Sequence, residues 1–536
     1  MGGTLTEANS EPFGSPDGAA EGASGLVRFD STWGDLQLRD HDRRIRIFVG
    51  RRGSGKSRYL RAMERHALTG AGDHDRMIVF PQRDTRISLT YLKWLHRTYS
   101  DRYERLETWR KLWNCAIYLS LASNFLNPPD SVSTKIRLSS QDRDFFVKSL
   151  ESFAGSSGAS LPIVFTLNHF LSRYHNRSQL QKKLDSPEWE ELETRVLRVI
   201  SGSTPVACYV DTLDDIFGAA PAEATDCQIA LLEWIMGKVV DPNVSNRVHI
   251  VVAVRDVIFA RLIAGEHGER YDRRTNVQRL DWSRRSSVHF LEQKLRFISD
   301  DFKMLPEIET DRIQAWLGRT TITNPERGGI TEACVDYVLR HTRFLPREIV
   351  EIGNRLSNQV RACKRNGVML EVDDFIQTVL EQASVIAERA VRATFDHMLA
   401  LESISSTEES LDVFRERMWQ QFNSVYLPTL ANERFGARTL AEADVTFHNS
   451  LDGWLPAASG REFRLSEALW LHGLIGFELN GTGKPTVKYF SSSRSVEGNL
   501  SPIMPTADFY FLHSTLIGSR TINISPQHPF VETTSE

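Results

Sequence analysis

The chain has 536 residues, 41% hydrophobic and 25% charged, which is too long for one ordinary domain and gives about two to four. A formal net charge of −4 excludes a globally basic nucleic-acid coat, though not a local basic patch. No apolar run reaches the roughly 18 residues of a membrane span, the best, Ala116 to Leu126, being broken by Ser120, Ser123 and Asn124.

From the N-terminus, residues 1–27 hold Glu7, Glu11, Asp17 and Glu21 and no Lys or Arg, so this stretch carries the whole net charge and residues 28–536 sum to zero. Rich in Gly, Ala, Ser and Pro, it reads as a disordered acidic tail. It lacks the basic start and apolar core of a signal peptide. The five cysteines (Cys115, Cys208, Cys227, Cys334, Cys363) form no C-x-x-C pair. That argues against a zinc site or a disulfide scaffold and leads us to expect a cytoplasmic protein with no membrane association.

Within an expected domain of residues 28–330, residues 44–300 alternate strand-like and helix-like segments. Ile45–Gly50, Met77–Phe80, Val206–Val210, Val248–Val254 and Val277–Leu280 are short, rich in β-branched residues and apolar on both faces. Such strands belong to a buried parallel sheet, so the fold class is α/β. Between the second and third, residues 91–201 read as a helical insertion, with helices at Tyr103–Leu126 and Pro187–Ile200.

The first strand runs into Gly50-Arg51-Arg52-Gly53-Ser54-Gly55-Lys56-Ser57, and a helical segment through Arg58 follows. This is G-x-x-x-x-G-K-[ST] in the strand–loop–helix setting that the phosphate-binding loop requires. Backbone N–H groups of such a loop cradle phosphates at a helix N-terminus. Lys56 is expected to reach the β- and γ-phosphates of ATP, and the Ser57 hydroxyl to ligate Mg²⁺. A decoy, Gly481-Thr482-Gly483-Lys484, lacks the first glycine and places Pro485 where the hydroxyl residue belongs, so it reads as a turn.

The third strand ends in Asp211, followed by Asp214 and Asp215. Asp211 is the expected Mg²⁺ partner. Asp214 or Asp215 either orients the attacking water or caps a following helix. The fourth strand ends in Arg255-Asp256. Arg255 faces the ligand crevice at the carboxyl edge of an α/β sheet, as a γ-phosphate sensor or as a salt-bridge partner of Asp256. Arg270, Arg273 and Arg274 are candidates for an arginine finger or for a solvated face. Asp281-Trp282-Ser283 reads as a strand end and helix cap.

Residues 331–402 read as a helical lid, with Pro346 in the first turn of a helix and Gly367 just past its end, then a long amphipathic run, Asp373–Leu401. Residues 403–525 mix helices with a hairpin, Ile475–Leu479 and Thr486–Phe490, which reads as a winged-helix-like domain. The aromatic run Phe509-Tyr510-Phe511-Leu512 reads as core. Residues 526–536 are a second loose end.

Taken in order, Gly50–Ser57, Asp211-Thr212-Leu213-Asp214-Asp215, the strand ending in Arg255, Asp281-Trp282, and Phe344-Leu345-Pro346-Arg347-Glu348 in a helical subdomain resemble the STAND and KAP-like group of bacterial P-loop ATPases, and nearby origin-recognition-type AAA+ proteins. The resemblance spans about residues 40–400. It implies an ASCE-class P-loop sheet with the Asp211 strand beside the P-loop strand, ATP with Mg²⁺, and a lid in which Arg347 takes the sensor role. It also implies a homo-oligomer formed under nucleotide control and a setting in bacterial stress or phage defence; with no nuclease, protease or zinc pattern in the chain, effector chemistry is expected in a protein partner. Many STAND members carry Asp-Gly-Leu-Asp-Glu; Thr212 and Asp215 depart from it, and the shorter Asp215 points to slow hydrolysis. The competing expectation is a DNA-binding ATPase acting through the winged helix, against which stands a thin basic footprint of Lys484, Lys488 and Arg494.

Overall fold

The computed structural model describes residues 11–16, 46–69, 78–80, 82, 86–128, 136–154, 160–174, 176–211, 219–245, 247–263, 276–280, 282–401, 408–451, 464–479, 486–490 and 504–517. All five expected strands form: β1 (Ile47–Gly50), β2 (Ile78–Val79), β3 (Val206–Val210), β4 (Val248–Arg255) and β5 (Val277–Arg279). They make one all-parallel sheet in the order β2-β3-β4-β1-β5, a P-loop-like α/β layout. Burial of β1 to β4 on both faces explains their near-continuous apolar runs, while the edge strand β5, Val-Gln-Arg, is half-buried.

The order corrects one expectation. The strand leading to Asp211 does not lie beside the P-loop strand, because β4 stands between them. At eight residues, β4 is long enough to pair with β3 through its first half and with β1 through its second. The loop's first glycine, Gly50, is therefore in register with Arg255. In a parallel sheet all carboxyl ends share one edge, so Gly50, Arg255 and the residue after Val210 still open on the same side.

In the insertion, helices Arg102–Leu126, Ser140–Ala154, Ile163–Arg173, Arg177–Leu184 and Glu188–Ser201 build a layer on one side of the sheet. Arg102–Leu126 is buried nearly all round from Thr108 onward and packs along Pro221–Val239, which is equally enclosed; a helix apolar on every face can sit only inside. Polar groups inside it find partners on neighbouring elements: Ser120 Oγ donates to Leu161 O at 2.6 Å and Trp113 Nε1 to Cys227 O at 2.9 Å. All five cysteines are buried and free.

A second core joins helix Arg284–Phe297, capped by a reciprocal Ser283/Ser286 box, to helices Pro346–Arg365 and Val372–Leu401. Pro346 occupies the first turn, and Gly367, with φ +67°, follows the end. A separate hairpin, β6 (Thr321–Asn324) and β7 (Ile330–Ala333), precedes this helical body.

The N-terminal stretch departs from expectation. Residues Glu11–Pro16 are folded against this second core, with Phe13 only 1% exposed. Composition misleads here because a single aromatic anchor, Phe13, finds a groove that no composition count reveals. The remainder of residues 1–27 lies outside the described residues.

The C-terminal part begins with helix Glu408–Gln421 and ends in a four-stranded antiparallel sheet, β10-β9-β11-β8. Its strands are β8 (Arg434–Gly436), β9 (Ile475–Leu479), β10 (Thr486–Tyr489) and β11 (Phe509–Leu512), with helices Ala437–Ser450 and Leu465–Leu471 between β8 and β9. The expected hairpin is β9–β10; its turn, with Gly481, Lys484 and Pro485, lies outside the described residues. Tyr510, Phe511 and Leu512 are buried, while Phe509 sits exposed beneath the Arg434 guanidinium, 3.4 Å from its ring centre. Trp470, Leu471 and Phe490 belong to the same hydrophobic core as the parallel sheet, so the two modules are joined through apolar packing. No helix among the described residues is long and apolar enough to cross a membrane.

Candidate nucleotide site

The loop after β1 turns twice through left-handed backbone, at Gly53 (φ +90°) and Gly55 (φ +93°), before helix Lys56–Thr69 begins. Ser54 N donates to Arg51 O at 3.1 Å, and the Trp282 indole N–H donates to Ser54 O at 2.9 Å. Trp282, read from sequence as part of a helix start, thus also braces the loop. Lys56 is buried and folds back over the loop, donating to Gly50 O at 3.0 Å and Arg51 O at 3.1 Å. Ser57 is half-buried at the start of the helix. Arg58, one residue on, is enclosed, and burial holds its guanidinium pKa down to about 10.

Arg255 closes β4 and is 7% exposed. Asp256 follows it as the first residue of helix Asp256–Ile263 and pairs with Arg51 at 3.4 Å. Burial raises the Asp256 carboxyl above its ordinary range, opposed first by Arg51 and then by Lys56. Asp211 lies half-buried at the end of β3. Asp214 and Asp215 lie outside the described residues, as do Arg270, Arg273 and Arg274.

The helical body supplies the opposite wall. Arg347 approaches the loop: its backbone N–H donates to Gly53 O at 3.3 Å, and its Nε donates to Pro16 O at 3.1 Å. Arg343 is held by Glu348, which accepts from the Arg343 backbone N–H at 2.7 Å and from its Nε at 3.0 Å, while Nη1 reaches His472 O at 3.2 Å. Between them Phe344 adopts φ +58°, a strained conformation for an aromatic residue, where the chain turns into helix Pro346–Arg365. Arg389 makes a bidentate pair with Glu351, both contacts 2.7 Å.

These elements converge on a cleft lined by six arginines, Arg51, Arg52, Arg255, Arg343, Arg347 and Arg389, against two carboxylates, Asp256 and Glu348. Its enclosed volume is about 30 Å³, room for water but not for a triphosphate. A larger hollow of about 70 Å³ lies on the other side of Arg51, walled by Trp282, Phe344, Tyr489 and Phe490. Arg343, Arg389, Asp256 and His472 were not singled out from sequence as site residues. The Arg-Phe-Leu-Pro-Arg-Glu string and the Arg255-Asp256 pair were the available signals for Arg343 and Asp256; nothing local marks Arg389 or His472. The His472 Nε2 is sealed without a hydrogen-bond partner, and burial, then His397, Arg343, Arg51 and Arg255, push its pKa well down, so it is neutral.

The C-terminal module contacts the loop directly. The Arg51 guanidinium donates to Phe490 O and lies so close to Gly473 that a β-carbon there would collide with it. Set against models of known protein families and against curated proteins, the chain matches none of them.

Proposed function

We propose that this chain is an ATP-binding and ATP-hydrolysing regulatory P-loop ATPase whose nucleotide state controls self-assembly or the engagement of a protein effector. The observation that carries this reading is the convergence of six arginines on a cleft beside a glycine loop at the carboxyl edge of a parallel sheet, where anionic ligands of α/β folds bind.

In this reading the loop N–H groups and the helix N-terminus receive the phosphates of ATP. Lys56 exchanges its contacts with Gly50 O and Arg51 O for phosphate oxygens. Arg255, in register with Gly50 across the sheet, and Arg347, reaching over Gly53, answer the γ-phosphate from two sides. Ser57 and Asp211 offer a hydroxyl and a carboxylate, hard oxygen donors of the kind that hold Mg²⁺ together with substrate phosphates and water. The ion supplies neutralisation of the phosphate charge. Asp214 and Asp215 remain the candidates for orienting water.

The contacts of Arg347 with Gly53 and of Arg51 with Phe490 support a regulatory role, because they tie the helical body and the C-terminal module to the loop. A nucleotide that binds one arrangement of these parts better than another moves the population toward it. Titration calorimetry with ATP and the Lys56→Ala variant tests the site, with mass photometry reading the assembly. ATP binding to that variant at native affinity would sink the assignment. DNA binding through the C-terminal module is weakened as an alternative, because helix Leu465–Leu471 exposes only Glu467 among its residues and offers no free face to a groove. An electrophoretic shift at low salt would revive it.

A further inference from the structure

The described N-terminal segment behaves as a bound ligand. Glu11-Pro12-Phe13-Gly14 closes a turn through Gly14 N to Glu11 O at 2.8 Å. Phe13 N donates to Asn354 Oδ1 at 2.8 Å, and Asn354 Nδ2 donates back to Gly14 O at 3.0 Å. Lys294 Nζ, on another helix, donates to Phe13 O at 2.8 Å. The Phe13 ring lies 5.4 Å from the Trp316 ring. It rests on Gly353, where a β-carbon would stand 2.5 Å from the ring's Cδ1 and Cε1. Glycine within a helix is destabilising relative to alanine; here the missing β-carbon makes the floor of the groove.

The position of this segment ties it to the cleft. Pro16 O accepts from Arg347 Nε, and the Arg347 backbone N–H bonds Gly53 O of the loop. Three residues therefore connect the groove to the loop.

We propose that Trp316, Gly353, Asn354 and Lys294 form a peptide-binding groove whose occupant is the chain's own Glu11–Pro16, and that its occupancy positions Arg347 over the nucleotide loop. The groove recognises a short turn with one aromatic anchor: a pocket for the ring, and side-chain partners for the backbone groups on either side of it. The coupling to nucleotide rests on the ATPase reading; the groove itself does not.

The test uses the full chain with Phe13→Ala, Gly353→Ala and the double variant. Phe13→Ala is expected to weaken ATP binding at least about fivefold, the lower end of ordinary coupling between sites. Gly353→Ala, which keeps Phe13 and raises helix propensity, is expected to weaken it likewise by blocking the groove. A fluorescein-labelled peptide copying Asn9 to Gly18 should bind Phe13→Ala, read by anisotropy, and restore its ATP affinity. It should neither bind nor rescue the double variant. Unchanged ATP affinity in both single variants overturns the coupling. Equal peptide binding by Phe13→Ala and the double variant overturns the groove. If the unaltered chain binds no ATP, the ATPase reading falls, and peptide capture alone still decides the groove.

Discussion

Arg347 stands directly over Gly53. Its backbone N–H reaches Gly53 O at 3.3 Å, and a β-carbon on Gly53 would come within 2.9 Å of the Arg347 β-carbon. The contact joins helix Pro346–Arg365 to one of the loop's two left-handed glycines, so a change of either partner is felt by the other.

Gly53→Ala should act through both effects. Its φ of +90° strains a residue with a side chain by about 1–2 kcal/mol, and the added methyl pushes Arg347 away. We expect a lower melting temperature together with weaker ATP binding, measured by thermal unfolding with and without nucleotide. A variant that gains the same ATP stabilisation as the parent would show that the lid contact does not serve binding.

Arg51→Ala should release the C-terminal module. The side chain bridges Asp256 and Phe490 O and lies close against Gly473, so its loss removes the link and takes an ion-pair partner from a buried carboxylate. Limited proteolysis should cut the C-terminal region faster, and mass photometry should show a changed oligomer population without ATP. Proteolysis at the native rate would mean that the apolar contacts of Trp470, Leu471 and Phe490 hold the module alone.

Asp211→Asn should separate binding from turnover. Asparagine keeps the size but lacks the charge suited to Mg²⁺. ATP hydrolysis should drop by about 100-fold, as expected when one group stabilising transition-state charge is lost, with ATP affinity little changed. Phosphate release and calorimetry measured side by side would check this, and equal losses in both would move Asp211 into substrate binding.

Acid should loosen the contact between the modules. His341, His397, His472 and His513 are buried, and burial is the leading cause that pushes each pKa down, to about 3 for His513. A histidine depressed in the folded state contributes stability above its unfolded pKa of 6.5 and loses it as pH falls toward the folded value. The melting temperature should therefore decline from pH 7 toward pH 5, and His513→Gln should flatten the decline. An unchanged slope would place the acid sensitivity elsewhere.

Asp444 should work in the opposite sense. Burial raises its pKa from 3.8 to about 6, against hydrogen bonds from Ser466. The folded state then favours the protonated form, so its contribution falls as pH rises from 3.8 through about 6 and stays low above that. Asp444→Asn should raise the melting temperature at pH 8 relative to pH 5. A variant destabilised equally at both values would contradict the shift.

Much of the fold was legible because its signals are local. Strands apolar on both faces marked β1 to β4, as buried parallel strands do; β5 reads Val-Gln-Arg and is half-buried at the sheet's edge. Pro346 and Gly367 bracketed their helix because a fixed φ suits its start and a left-handed residue its end. The segment Glu11–Pro16 was misread because its order comes from one ring in one groove, and composition averages that away. The neighbour of β1 was misjudged because pairing is chosen among strands of similar apolar character, so the apolar pattern alone does not put β4 in the middle.

The sequence by itself determined the glycine loop between β1 and its helix, the strand edge carrying Arg255 and Asp211, and the helix boundaries, because each depends on backbone preferences of adjacent residues. Only the tertiary structure decided what surrounds the loop. Arg51 meets Phe490 across 439 positions, and Phe13 meets Asn354 across 341. Contacts so distant leave no periodic trace in the chain; they exist because burial of Trp470, Phe490 and Phe13 draws separate segments into shared cores and carries the polar groups beside them to the cleft.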